Sequence, residues 1–167
     1  EPYTRDLMIS SLGILVSGNK RLIESLRRVF KLLAKNQSRL GSIPSLVHDP
    51  DDLGASDCTP LFLIAVALYR KATGKMDFLE EAAQKAMVWM EYQCPTESVL
   101  ASQLPTSDWR DEQWVLGYGL FVNMLSYAYL RLWGQNERAL KLRKAISRFT
   151  AEGKNQHRHN REGLALR

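Results

Sequence analysis

The segment "LPTSDWRDEQW", Leu104 to Trp114, sets three carboxylates, Asp108, Asp111 and Glu112, around Trp109 and Arg110. Paired carboxyl groups are the usual agents of acid–base chemistry, one delivering a proton while another accepts one or activates a water. Like charges this close raise one another's pKa, and an apolar neighbour such as Trp109 adds to the rise, which keeps a carboxylic acid protonated near neutral pH. Trp109 can stack on a sugar ring or fill core, and Arg110 can hold a substrate oxygen or only neutralise its neighbours. A structural reading competes: aspartate is a common helix N-cap, and acids in a first turn complement the helix dipole. A cap requires one acid, whereas this stretch supplies three within five residues.

Two other places carry the same ambiguity, Arg5 beside Asp6 in "YTRDLM" and Asp57 in "GASDCTP". His157 and His159 have no third ligand nearby in the tail, so they read as solvated residues and no metal is expected. Cys58 and Cys94 stand far apart and form no CxxC pair, which argues against a zinc site or a disulfide framework and fits a reducing, cytoplasmic compartment.

The elements that must position these residues are helices. Leu7, Met8, Leu12, Leu15 and Val16 recur at helical spacing up to Gly18-Asn19, and Leu22, Ile23, Leu26, Val29, Phe30 and Leu33 continue in a second helix to about Lys35. Thr59-Pro60, a cap with proline at the first helical position, opens "LFLIAVALYRKAT", which stops at Gly74-Lys75 before a helix from Asp77 to Tyr92. A third pair runs from about Asp111 through "WVLGYGLFVNMLSYAYLRLW" to Gly134-Gln135 and on to Phe149. The three glycine turns are almost evenly spaced, so the unit is a repeated helical hairpin. The hairpins lie at about 4–35, 59–92 and 109–149, in a single domain over 1–167 with a tail from 150.

Within the second and third hairpins the first helix is apolar on nearly every side and its partner is amphipathic, so the first helices form an inner layer and the second helices a water-facing outer one. All the first helices run in one direction. Their N-termini, with Asp6, Asp57, Asp108 and Asp111, therefore share one rim with the long connecting loops.

The hairpin repeat, "RDLMISSLGILVSGN", "GSIPS", "SDCTPLFLIAVALYRKATG" and above all "TSDWRDE" ahead of "YGLFVNMLSYAYLRLWG" resemble the alpha/alpha-barrel, six-hairpin glycoside hydrolases. The likeness is to glucosidases of the amylo-alpha-1,6-glucosidase, processing alpha-glucosidase and neutral invertase type, and it spans Tyr3 to about Phe149. It implies an all-α fold built from hairpins of an (α/α)6 barrel, and hydrolysis of an O-glycosidic bond, alpha-glucosidic and inverting, by two carboxyl groups roughly 6.5 to 9.5 Å apart. It also implies Asp111 as general acid, with Asp108 as an alternative acid or a substrate-binding residue. Arg5, Asp6, Asp57, Trp109, Arg110, Glu112 and Asn123 would bind substrate, without cofactor or metal. The sequence departs from that pattern in supplying three hairpins, and nothing after Phe149 matches the second catalytic carboxylate. A fragment of a longer chain or a second copy completing the ring would account for both, as would loss of activity. The opposing readings are a non-catalytic carbohydrate-binding module and a protein-interaction solenoid, although solenoid repeats are usually shorter, near 34–47 residues.

Composition sets the frame for these readings. A chain of 167 residues, 45% hydrophobic and 25% charged, has enough apolar material for a core. The net charge of +5 is dispersed over helices apart from the tail, so no nucleic-acid partner is expected. The longest apolar run, Leu61 to Tyr69, is too short for a bilayer, so no membrane partner is expected either. The expected partner is a carbohydrate substrate, together with either a homo-oligomer or further sequence to cover the apolar inner helices.

Overall fold

The computed structural model describes residues 2–49, 51–52, 54–95, 98–109, 114, 116–149 and 165–166. The fold is all-α. Helices α1 (Thr4–Ser17), α2 (Lys20–Lys35), α3 (Cys58–Thr73), α4 (Glu80–Tyr92), α5 (Leu120–Leu132) and α6 (Asn136–Ile146) are followed by a 3-10 turn, Ser147–Phe149. No sheet was expected, and the described residues contain one minimal exception. Strand β1 (Tyr118–Gly119) pairs antiparallel with β2 (Ala165–Leu166).

The hairpin turns follow from local chemistry. Gly18 and Gly74 take left-handed φ of 64° and 71° and return their N–H groups to Leu15 and Arg70 carbonyls, closing α1 and α3. Asn19 then caps α2, its side-chain oxygen accepting from the N–H groups of Arg21 and Leu22.

Helix α3 is the centre of the molecule. It packs on α1 along one side and α5 along the other, while α2, α4 and α6 each pack against the helix that precedes them. Phe62, Leu63, Ala65 and Val66 on successive sides of α3 have no exposed surface. Each large apolar side chain buried in this way contributes about 1.5–3 kcal/mol. Its C-terminal end is closed by aromatic contacts, with Tyr69 centred 5.5 Å from Phe30 of α2 and 4.7 Å from Phe78.

Three expectations about the elements are corrected. The Leu61–Tyr69 run needs no partner copy, because α1, α4 and α5 cover it. On the inner helices the exposed large apolar residues are instead Ile9, Leu12 and Val16 of α1 and Met124 and Leu132 of α5, the flanking members of the row, and Trp114 and Leu116 ahead of α5 are exposed as well. The second correction is at α4, which begins at Glu80 rather than Asp77. Leu79 adopts a left-handed φ of 56°, and this turn carries Phe78 into the aromatic cluster.

The largest correction is at the third hairpin, whose first helix begins at Leu120 and not near Trp109 or Asp111. Gly117, with φ of 101°, exchanges two backbone hydrogen bonds with Gln103, at 2.7 and 3.2 Å. Gly119 lies so close to the Gln103 side chain that a Cβ would fall 2.1 Å from its Oε1. The apolar run therefore includes an extended, glycine-dependent lead-in before the helix starts.

Candidate functional site

The N-terminal ends of α1 and α3 are sewn together by the "GSIPS" segment. Thr4 donates its N–H to the Ser45 carbonyl and its hydroxyl to the Pro44 carbonyl, both at 2.7 Å, and the Thr59 hydroxyl accepts the Ile43 N–H at 3.0 Å. This stitching sets Arg5, in the first turn of α1, against Asp57, at the start of α3. The guanidinium donates from Nε to Oδ2 at 2.6 Å and from Nη2 to Oδ1 at 3.4 Å. Although Asp57 occupies the N-cap position of α3, its side chain makes no cap bond. The capping role is not the one this carboxylate fills.

Asp108 arrives from a third direction. Ser56 donates its N–H to the Ser107 carbonyl at 2.6 Å, and the two serine hydroxyls meet at 2.7 Å, which fixes the "SDW" segment onto the start of α3. The Gln103 amide then donates to Asp108 Oδ2 at 2.9 Å. Asp57 and Asp108 are 0% and 1% exposed, so two carboxylates and one arginine share a buried cluster at the rim.

The electrostatics follow from that burial. Desolvation pushes the Asp57 carboxyl above its ordinary range, and the nearby Asp108 charge pushes the same way. The hydrogen bond and charge of Arg5 oppose both without overcoming them. Cys58, next along α3, is pushed up to about 12 by burial first and the Asp57 charge second. Its thiol stays protonated at neutral pH and is no nucleophile.

Above the cluster opens a cleft of about 350 Å³ whose lining includes Tyr3, Arg5, Ser45, Cys58 and Ser107. One wall is held by Asp52, whose carboxylate accepts the N–H groups of Leu46 and Gly54, both at 2.7 Å. Trp109 is 55% exposed and rests edge-on against Phe121, with ring centres 6.4 Å apart, so much of its indole is open to a ligand. Trp114 is exposed as well.

The structure thus brings together Arg5, Asp57 and Asp108 from three separate stretches, while Trp109, the residue after Asp108, lies against Phe121. Asp6 is exposed on the first turn of α1, outside that cluster. Arg110, Asp111 and Glu112 lie outside the described residues. Asn123 is fully enclosed inside the protein. Its amide donates to the Ala101 and Gly119 carbonyls at 3.0 and 2.9 Å, and its oxygen accepts the Ala101 N–H at 2.8 Å, so it staples the 101–103 segment to α5.

Sequence reasoning missed Gln103, Ser56 and Ser107, which orient the acidic segment. Their bonds join positions far apart in the chain, and no local pattern announces them. Among the described residues no group of three His, Cys, Asp or Glu side chains could hold a metal ion, and no helix is long and apolar enough to cross a membrane. Comparison with protein-family models, curated proteins and solved structures gives no match.

Proposed function

We propose that the chain is a glycoside hydrolase-type domain whose rim cleft receives a sugar, with Asp111 as the general acid. One observation carries the proposal: the N-terminal ends of α1 and α3 and the "SDW" segment converge so that Arg5, Asp57 and Asp108 meet beneath a cleft that Arg5 and Ser107 line, with the half-exposed Trp109 next in the chain after Asp108. In the reaction Asp111 delivers its proton to the glycosidic oxygen as the bond from that oxygen to the anomeric carbon breaks. A water, deprotonated by a second carboxylate on the opposite face of the ring, forms the new bond to carbon. The second carboxylate comes from further hairpins that complete an (α/α)6 ring, or from a second copy of the chain. Asp108, enclosed and holding the Gln103 amide, positions the acidic segment, while Arg5 and Trp109 take the sugar's hydroxyls and apolar face. The substrate class is an alpha-glucoside and the outcome inversion.

A second reading, sugar binding without hydrolysis, is favoured by the state of the two buried carboxylates. Asp57 is engaged by Arg5 and Asp108 by Gln103, so neither is arranged to pass a proton to a ligand. Proton NMR of anomeric signals during incubation with a panel of alpha-glucosides separates the two readings. New anomeric signals that slow sharply in Asp111→Asn support hydrolysis. Saturable binding with no turnover supports the binding module, and the absence of both binding and turnover leaves the carbohydrate reading without support.

A further inference from the structure

A larger cavity, about 520 Å³, adjoins the rim cleft and shares Gly54, Ala55, Leu104 and Ser107 with it. The loop after α2, the last turn of α4 and Val122 of α5 complete it. Its lining is apolar, made by the exposed Leu40 and Leu104 and the half-buried Trp89, with the enclosed Met90 and Val122 at its base. Cavities of this size with an apolar lining and a few polar groups are the common form of small-molecule sites.

The polar groups around it decide what such a molecule must carry. Ser38 accepts from Gly41 and Ser42, Ser42 donates to Ser38, Ser102 donates to the Gln93 carbonyl, and Ser107 donates to the Leu104 carbonyl. The serines are thus occupied within the protein. Arg39 is different. It lines the cavity, is exposed, and makes no ion pair among the described residues, whose carboxylates contribute nothing to the lining. The Trp89 indole N–H likewise has no partner among them. The Gln93 and Gln103 amides of the lining donate within the protein, to the Trp89 carbonyl and Asp108, while the enclosed Gln103 Oε1 has no partner among the described residues. At its open side the cavity therefore offers a ligand apolar area and unoccupied donors, one of them a planar cation suited to a carboxylate, sulfonate or phosphate.

We propose that this larger cavity is a second small-molecule site, adjoining the rim cleft, that takes an organic anion with a flat apolar body, the anionic group on Arg39 and the body over Met90 and Val122. The assignment stands on the cavity alone and does not require the glycosidase reading.

The five methionines provide the test, since Met90 lies in the cavity floor while Met124 and Met76 are exposed elsewhere. The full chain, labelled with carbon-13 at its methionine methyls, is titrated with 1-naphthalenesulfonate and, separately, with the neutral analogue 1-naphthalenemethanol. The expected result is a saturable shift of the Met90 methyl with the sulfonate, binding about tenfold tighter than the alcohol, one charge-assisted contact being worth at least that. Arg39→Gln should abolish the preference while still showing the Met90 shift at higher concentration. An unmoved Met90 signal, shifts led by Met124, or equal affinity for sulfonate and alcohol in the wild-type chain would each overturn the assignment.

Discussion

Replacing Arg5 by methionine removes the cation that holds Asp57 while keeping most of the side chain's packing. Asp57 has no exposed surface, and its carboxylate takes two guanidinium hydrogen bonds, at 2.6 and 3.4 Å. Leaving such a group ionised and unpaired costs about 3–5 kcal/mol. The cost depends on pH, because burial and Asp108 already raise the Asp57 pKa and Arg5 is the main influence lowering it. Without Arg5 the upward influences act alone. A carboxyl group whose folded pKa lies above its unfolded one holds its proton more tightly in the native state. Its contribution to stability is complete below the ordinary value of 3.8 and is lost as pH rises through the folded value. Arg5→Met should therefore cost about 1–2 kcal/mol at pH 4, where only hydrogen bonding to a neutral acid is lost, and approach about 3–5 kcal/mol at pH 8. Urea unfolding followed by far-UV circular dichroism at both pH values measures this directly. The same substitution in an Asp57→Asn background should lose its pH dependence. A cost that is equal at the two pH values, or larger at pH 4, refutes the reasoning.

The other predictions concern the acidic segment and the thiols. Asp111→Asn should preserve the fold and lower turnover of alpha-glucosides by about 10² to 10⁴, as removal of a general acid does, whereas Asp108→Asn should act chiefly on the melting temperature. Steady-state kinetics beside thermal melts separates the two. Gly119→Ala should destabilise by about 1–3 kcal/mol because the new methyl meets the Gln103 amide, and should cost clearly less in a Gln103→Ala background, which chemical denaturation of the four species would reveal. Burial raises both thiols, yet Cys58 is enclosed and Cys94 only half-buried, so a disulfide reagent at pH 8 should label Cys94 first and reach Cys58 no faster than the chain unfolds. Comparable labelling rates would contradict the enclosure of Cys58.

How much of this was legible in the sequence varied with how local the cause was. The turns closing α1 and α3 and opening α2 were readable because each is set by its own residues, as when Gly18 and Gly74 close a helix and Asn19 opens the next. Helix α3, expected to start with Thr59 as cap, begins at Cys58 instead, with the Thr59 hydroxyl turned to the Ile43 N–H. The start of α5 was not, because apolar density in "WVLGYGLFVN" satisfies a helical pattern. What delays the helix is the pairing of Gly117 with Gln103, a contact invisible to any short window. At the site, the gathering of acids at one rim, read from helix direction, is realised for Asp57 at the start of α3, whereas Asp108 reaches the rim through the Ser56–Ser107 pairing, because α5 begins only at Leu120. Their partners were not legible, since Arg5 meets Asp57 across 52 positions and Ser56 meets Ser107 across 51. Asn123, expected from the resemblance to bind substrate, is instead enclosed, with its amide bonded to the backbone of Ala101 and Gly119, a partnership that no short window of sequence shows.

The central claim is that a sugar binds at the rim beside Trp109. It is tested most directly by the indole N–H resonances of the four tryptophans in a nitrogen-15-labelled chain titrated with alpha-glucosides. The account predicts a saturable shift at Trp109, with Trp133, which packs under the Arg70 guanidinium at 4.5 Å beyond the far end of α5, unmoved. An unshifted Trp109 across the panel, or a response confined to Trp133 or Trp89, would contradict it.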